Sequence, residues 1–328
     1  METILVTGGS GFIAGSLSRR LLELGYRVRA YYRPGDDTRL LSSPAMEKIE
    51  GDICDSRLLA ESARGCACVF HTAGNVSFRR ADRGLQRRVN VEGTRTVVDA
   101  CRRAGVPRLV HTSTVNTLGI PVPDGAVGDE STPRTVTTQW FNYAHTKKEA
   151  EDIALAACDP SLEVVVVNPG TVFGPGDVNC NAGSYILAIA GAPVLFYPAG
   201  GTNCVHIDAV VAGHLAAFEK GRPGERYILG GENLTYREMF SIIAALLGRP
   251  TPRLRLPALP SIAAAGAIEI ATSALGIRSR LTFEAARAGG IKFFYSSDKA
   301  RLELGLPFIS FRAAAKDAID WYRAEGYL

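Results

Sequence analysis

Along the first half of this chain, short apolar runs alternate with longer stretches of helical period. Ile4–Val6, Arg27–Tyr32, Cys68–His71, Arg108–Thr112 and Val164–Val167 read as strands. Between them, Leu17–Leu24, Leu58–Ala63, Asn90–Ala104 and Tyr143–Cys158 carry the spacing of helices with one buried face. That alternation predicts an α/β fold with a doubly wound parallel sheet, whose ligands bind at the carboxyl ends of the strands. Beyond Gly174-Pro175-Gly176 the alternation loosens. Tyr185–Ile189, Val210–Glu219, Tyr236–Leu247 and Phe311–Arg323 read as helices, and Cys204–Asp208 and Arg226–Leu229 as strands returning to the first part. The expected division is a ligand-holding domain over 1–175 and a smaller, mostly C-terminal substrate-binding lobe over 176–328.

Leu256–Ile277 is the one stretch that raises a membrane question. A spanning helix needs about 20 predominantly apolar residues, and this stretch is interrupted by Pro257, Pro260 and Glu269. A packed helix, or one touching a membrane surface, is expected, with no integral membrane segment.

Composition narrows the class. Apolar residues at 46% and charged residues at 21% of 328 exclude a disordered or collagen-like chain. A net charge of +4 is too mild to argue for nucleic acid. The basic run Arg79, Arg80, Arg83, Arg87, Arg88 has no interleaved aromatics and reads as a solvated helix face. Seven cysteines, an odd number without zinc-ligand spacing, read as reduced thiols of a cytoplasmic protein with no metal site. A first strand beginning near residue 3 leaves no room for a signal peptide.

The first strand runs directly into Thr7-Gly8-Gly9-Ser10-Gly11-Phe12-Ile13-Ala14-Gly15 and then into a helix. This is the context of a dinucleotide-binding turn and makes the sheet Rossmann-type. Gly8 permits the tight turn, Gly11 lets a pyrophosphate approach the backbone at a helix N-terminus, and small Ala14 lets helix and strand pack closely. The second strand ends at Tyr32, where an acidic residue would bond a ribose 2′-hydroxyl; Arg33 and Arg39 follow instead. Guanidinium groups suit a 2′-phosphate, so NADP (NADPH) is favoured over NAD. Asp36 and Asp37 stand too late for the ribose role and are assigned to the turn.

Tyr143-Ala-His-Thr-Lys147 holds the candidate chemistry, because residues four apart share a helix face. A phenol working near neutrality needs its pKa of ~10 lowered by about three units, or about 4 kcal/mol. A lysine cation about 4 Å away, at an effective dielectric near 20, supplies an attraction of about that size. The pair then serves as proton donor and acceptor beside a hydride transfer. The fourth strand ends in Thr112-Ser113-Thr114, where Ser113 or Thr114 can bond a substrate oxygen changing between carbonyl and alcohol.

These marks, with Gly51-Asp52-Ile53, His71-Thr72-Ala73-Gly74, Asn90-Val91-Glu92-Gly93-Thr94 and Asn168-Pro169-Gly170-Thr171-Val172-Phe173-Gly174-Pro175-Gly176, resemble the extended short-chain dehydrogenase/reductases over nearly the whole chain. By that resemblance the catalytic hydroxyl falls on Thr114, helped by Ser113, beside Tyr143 and Lys147. Asp52 and Ile53 hold the adenine, Ala73 lines the cofactor, Lys147 also reaches the nicotinamide ribose, and Pro169 and Val172 sit against the carboxamide. Thr7, Gly8, Gly11, Phe12, Ile13, Thr72, Gly74, Thr112, Tyr143 and Gly170 complete the implied binding surface. The chain is similar to two overlapping groups, the dihydroflavonol 4-reductases with 3β-hydroxysteroid dehydrogenases, and the hopanoid-associated sugar epimerases. The resemblance implies a homodimer paired through the Tyr143 helix and its neighbour.

Nucleotide-sugar epimerases of this kind carry an arginine four residues before the position of His206, on the diphosphate; here Thr202 stands there. Val76, Phe78, Val172, Ile186, Leu187, Phe196 and Tyr197 are expected to line the substrate side, which favours an uncharged, fairly apolar alcohol or ketone. The first reading is an NADP-dependent reductase or dehydrogenase. The alternatives are a sugar-nucleotide epimerase or dehydratase and a cofactor sensor without turnover.

Overall fold

The computed structural model describes residues 1–133, 141–191, 196–279 and 281–328. Strands β1 (Thr3–Thr7), β2 (Arg27–Tyr32), β3 (Met46–Glu50), β4 (Cys66–His71), β5 (Arg108–Thr112) and β6 (Glu163–Pro169) are followed by β7 (Thr171–Phe173), β8 (Phe196–Tyr197), β9 (Gly201–His206) and β10 (Arg226–Leu229). Seven of them form one parallel sheet in the order β10-β6-β5-β4-β1-β2-β3. The order reverses between β1 and β4, which opens a crevice at their carboxyl ends. Val164–Val167 of β6 are wholly buried; their branched side chains pack on both faces of the sheet, as a covered parallel strand requires.

Helices α1 (Phe12–Glu23), α2 (Ser56–Ala63), α3 (Arg83–Gln86), α4 (Gly93–Ala104) and α5 (Asn142–Ala156) come next, with a π-helical stretch, Arg87–Glu92, joining α3 to α4. One face of the sheet packs against α1 and, beyond α6 (Gly183–Gly191), α7 (Ile207–Lys220). The other packs against α2, α4 and α5. A second core joins α6 to α8 (Tyr236–Leu247) and α11 (Phe311–Ala324). Around β9 a smaller sheet gathers β7, β11 (Glu232–Thr235) and β13 (Lys292–Phe293), while β12 (Leu254–Arg255) pairs with β8. The remaining helices, α9 (Ala258–Ala274) and α10 (Phe283–Ala288), pack on each other.

Three sequence expectations change. Helix α1 starts at Phe12 rather than Leu17, because the glycine turn itself winds into the helix with Gly11 at its cap. Strand β3 has no apolar run to announce it: Met46-Glu-Lys-Ile-Glu50 is an edge strand with mostly exposed, charged side chains, as edges tend to be. Of the two returning strands, Arg226–Leu229 joins the large sheet, but Cys204–Asp208 does not. There the strand closes at His206, whose Nδ1 accepts the Asp208 N–H at 2.9 Å and so caps α7, and β9 builds the smaller sheet. Among the described residues, no helix is long and apolar enough to cross a membrane.

Candidate active site

At the end of β1, Gly8 adopts φ +72°, and a Cβ there would stand 2.7 Å from the Ala73 Cα, so only glycine fits. Gly11 caps α1 with no side-chain hydrogen bond and no acidic residue in the first turn, which begins with Phe12 and Ile13. A Cβ at Gly11 would meet only the Gly8 carbonyl oxygen, at 3.1 Å. The first N–H groups of α1 thus have no capping side chain, and the helix dipole there favours an anion. Close packing of α1 also falls on Gly15, where a Cβ would lie 2.8 Å from Leu40 Cβ. Thr7 fastens β1 to β4: its Oγ1 meets His71 Nδ1 at 2.8 Å, and Thr72 donates to its carbonyl at 2.6 Å. Burial pushes His71 down to about 3, so its ring is neutral.

Beyond β2, Arg33 pairs with Asp36 at 2.6 Å and Arg39 with Asp37 at 2.8 Å; both arginines and Asp37 are exposed, and Asp36 is mostly covered. Asp36, expected only to shape the turn, also accepts the Ser10 hydroxyl at 2.7 Å and so lies against the glycine turn. At the end of β3, Asp52 receives Arg88 at 2.5 Å, and Ile53 packs on Gly93, where a Cβ would lie 2.9 Å from Ile53 Cγ2. Of the rest of the basic run, Arg79 pairs with Asp82, Arg83 with Glu284 and Arg87 with Glu149, while the Arg80 guanidinium lies 5.6 Å from the centre of the Phe283 ring. Gly74 lies beside Lys147, since a Cβ there would come within 3.8 Å of Nζ. Pro169 ends β6, Gly170 donates to the Leu229 carbonyl at 3.2 Å, and Val172 packs against the core beneath the sheet.

Helix α5 begins at Asn142, so Tyr143 and Lys147 lie one turn apart at its buried end. Burial pushes Tyr143 up to about 12, opposed only in part by the neighbouring Thr114 side chain. Lys147 donates to the Thr112 carbonyl at 2.7 Å; burial pulls it down to about 8, and the Glu151 carboxylate opposes the fall. The expected lowering of the phenol by the ammonium is thus not what this arrangement gives: burial dominates both groups, and the charge that acts on Lys147 is that of Glu151. A neutral phenol beside a cationic lysine is, however, the state that can give a proton to a forming alkoxide.

Ser113 departs from expectation. Its hydroxyl is turned away from Tyr143 and donates to Glu151 at 2.6 Å. Glu151 is wholly buried and also accepts from Thr117 at 2.8 Å, Asn168 at 2.9 Å and Arg226 at 3.1 Å. Asn168 in turn donates to the Thr114 carbonyl at 3.1 Å. Sequence reading stopped at Lys147; one further turn along the same face reaches Glu151. Asn90, in the π-helical stretch, is a second residue whose role its motif does not reveal: its amide holds the Asn75 backbone at 2.8 and 3.2 Å and the Thr146 hydroxyl at 3.0 Å, fixing the turn after β4 to α5.

On the expected substrate side, the Phe78 ring lies 6.3 Å from that of Tyr143 and Val76 is exposed. Ile186 does not line a cleft, being wholly buried among α6, α8 and α11, where Leu187 also packs. Phe196 and Tyr197 stand on the β8–β12 pair, the second under Arg237 at 5.8 Å. Thr202 is buried with its hydroxyl 2.7 Å from that of Thr171, an uncharged pair on adjoining strands.

The family profile described as NAD dependent epimerase/dehydratase matches residues 4–230. A Synechocystis sp. protein provisionally named dihydroflavonol 4-reductase is 33% identical, covering 100% of this chain and 96% of its own. Sterol demethylase protein B of Methylococcus capsulatus is 34% identical over 99% and 100% of the two chains. The crystal structure of gox2253 superposes with a TM-score of 0.86 at 34% identity, covering both chains fully. That of DesIV, a dTDP-glucose 4,6-dehydratase from Streptomyces venezuelae with NAD bound, does so at 0.79 and 25%, over 98% and 97%. The chain belongs to the NAD dependent epimerase/dehydratase family of extended short-chain dehydrogenase/reductases, enzymes that work with a nicotinamide dinucleotide.

Proposed function

We propose that this protein is an NADP-dependent reductase or dehydrogenase acting on the carbonyl or alcohol of a fairly apolar small molecule. The observation that carries the reading is the neutral, buried Tyr143 beside the Thr114 side chain, with the Lys147 ammonium one turn away. When bound, the nicotinamide supplies or takes up the hydride. Thr114 holds the substrate oxygen, Tyr143 gives it a proton as it becomes an alcohol, and Lys147 favours that transfer by stabilising the phenolate left behind. The uncapped N-terminus of α1 receives the pyrophosphate, and Asp52 and Ile53 flank the adenine. Arg33 and Arg39 take the 2′-phosphate: both guanidinium groups are exposed, and their present carboxylate pairs are the weak kind that water and salt screen, so a dianion competes for them.

Two observations favour an apolar carbonyl over a sugar nucleotide. Thr202 and Thr171 form an uncharged pair where a diphosphate would need a guanidinium. The names of the relatives, dihydroflavonol 4-reductase and sterol demethylase, point to ring-shaped, largely apolar substrates. A boundary near residue 175, a homodimer formed through α4 and α5, and a reducing, cytoplasmic setting for seven cysteines that form no disulfide with one another belong to the same reading. The test is NADPH consumption across a panel of ketones, steroids, flavanonols and aldehydes, with thermal shift by UDP-sugars alongside. Turnover of a ketone without a UDP-sugar shift is expected. A clear UDP-sugar shift with no net redox replaces this reading by the epimerase one.

A further inference from the structure

Helix α9 shows the solvent an unusual surface. Leu259, Ile270 and Leu275, in it and at its cap, are 82%, 71% and 72% exposed, and Leu254 and Ile277 on either side are more than half exposed. Only Ala265 and Glu269, one turn apart, are buried within it. Leu259, Ala263 and Ile270 share one exposed line of the helix. From Thr251 to Leu281 the sole carboxylate is the buried Glu269, whereas Arg253, Arg255 and Arg278 flank the apolar stretch. An exposed apolar face with arginines beyond both ends and no exposed acid suits a layer of anionic lipid headgroups, which draws the guanidinium groups to its surface.

The position of α9 ties this surface to the site. The buried Glu269 accepts the Arg80 N–H at 3.0 Å and the Phe283 N–H at 3.0 Å. Arg80 follows Phe78 by two residues, and the Phe78 ring meets that of Tyr143. From α10, Glu284 accepts the Asn142 N–H at 3.3 Å, immediately before Tyr143. Helices α9 and α10 are thus hydrogen-bonded to the two segments that flank the phenol.

We infer that α9 and its flanking arginines form a docking surface for an anionic bilayer, which sets the Tyr143 crevice beside the phase where an apolar substrate dissolves. Its purpose rests on the reductase reading; the binding itself does not. The charge pattern selects the bilayer over a second copy of the chain, because two such faces would bring arginines against arginines with no carboxylate between them.

Vesicle co-sedimentation tests this, using phosphatidylcholine alone or mixed with phosphatidylglycerol. The protein is expected to pellet with the mixed vesicles, less so in raised salt and little with phosphatidylcholine alone. Leu259→Asp with Ile270→Asp, and separately Arg253→Glu with Arg255→Glu, should each lower the bound fraction about tenfold or more. These side chains are exposed, so melting of both variants should match the parent. Absence of pelleting, or pelleting indifferent to both variants, overturns the inference. So does a dimer in light scattering that Leu259→Asp with Ile270→Asp disperses while vesicles bind neither form. NADPH turnover of a water-soluble ketone should be unchanged in both variants; its absence in the parent would count against the reductase reading and leave vesicle binding as a separate result.

Discussion

The Ser113 hydroxyl donates to the Glu151 carboxylate at 2.6 Å, which links the end of β5 to a point on α5 one turn beyond Lys147. Glu151 gathers four donors, one of them the partly exposed guanidinium of Arg226. Glu151→Gln keeps the shape but removes the charge and sets an NH2 group among donors. A loss of about 1–3 kcal/mol in urea unfolding is expected. An unchanged midpoint would show that the carboxylate does not organise this end of the sheet.

Lys147 titrates near 8, which sets a sign for the pH dependence. Reductive turnover should fall as pH rises through about 8 and the ammonium is lost. Because Glu151 holds that value up, Glu151→Gln should move the falling limb to lower pH. For stability, the unfolded chain binds this proton more tightly than the folded one, so Lys147's contribution to stability rises from about pH 8 towards its ordinary 10.5. Lys147→Met should remove that rise from denaturation midpoints measured across the interval.

Tyr143→Phe removes the proton donor and leaves the glycine turn untouched. Turnover should drop by ~10²–10⁴-fold, with nearly unchanged coenzyme affinity by fluorescence titration. A variant that turns over normally would remove Tyr143 from the chemistry.

Arg33→Ala, alone or with Arg39→Ala, removes charge-assisted contacts to a 2′-phosphate. Affinity for NADPH should weaken about tenfold or more while that for NADH stays put. Equal weakening of both would assign these arginines to the turn and not to the phosphate.

Two glycines separate backbone strain from contact. Gly25, with φ +86° and nothing near its missing Cβ, should tolerate Ala at a cost of about 1–2 kcal/mol. Gly8→Ala adds a clash with the Ala73 backbone to the same strain, so it should cost more in thermal melting and also weaken coenzyme binding.

What the chain's own pattern determined is whatever depends on neighbours in sequence. The alternation of strand and helix, the glycine turn of β1 and α1, and the four-residue spacing of Tyr143 and Lys147 are local, and all three are present in the fold. The charged edge strand β3 escaped because exposed strands need no apolar run. Tertiary structure alone decided which face each hydroxyl serves. Ser113 and Thr114 are adjacent in sequence, but successive side chains at a strand end point opposite ways, so one meets Glu151 and the other Tyr143. It also decided the balance of charge. Sequence supplied an attraction between phenol and ammonium, whereas burial, which no spacing reveals, pushed the one up and the other down. The exposure of α9 is of the same kind, since its apolar composition fits a core helix equally well until the rest of the chain packs without covering it.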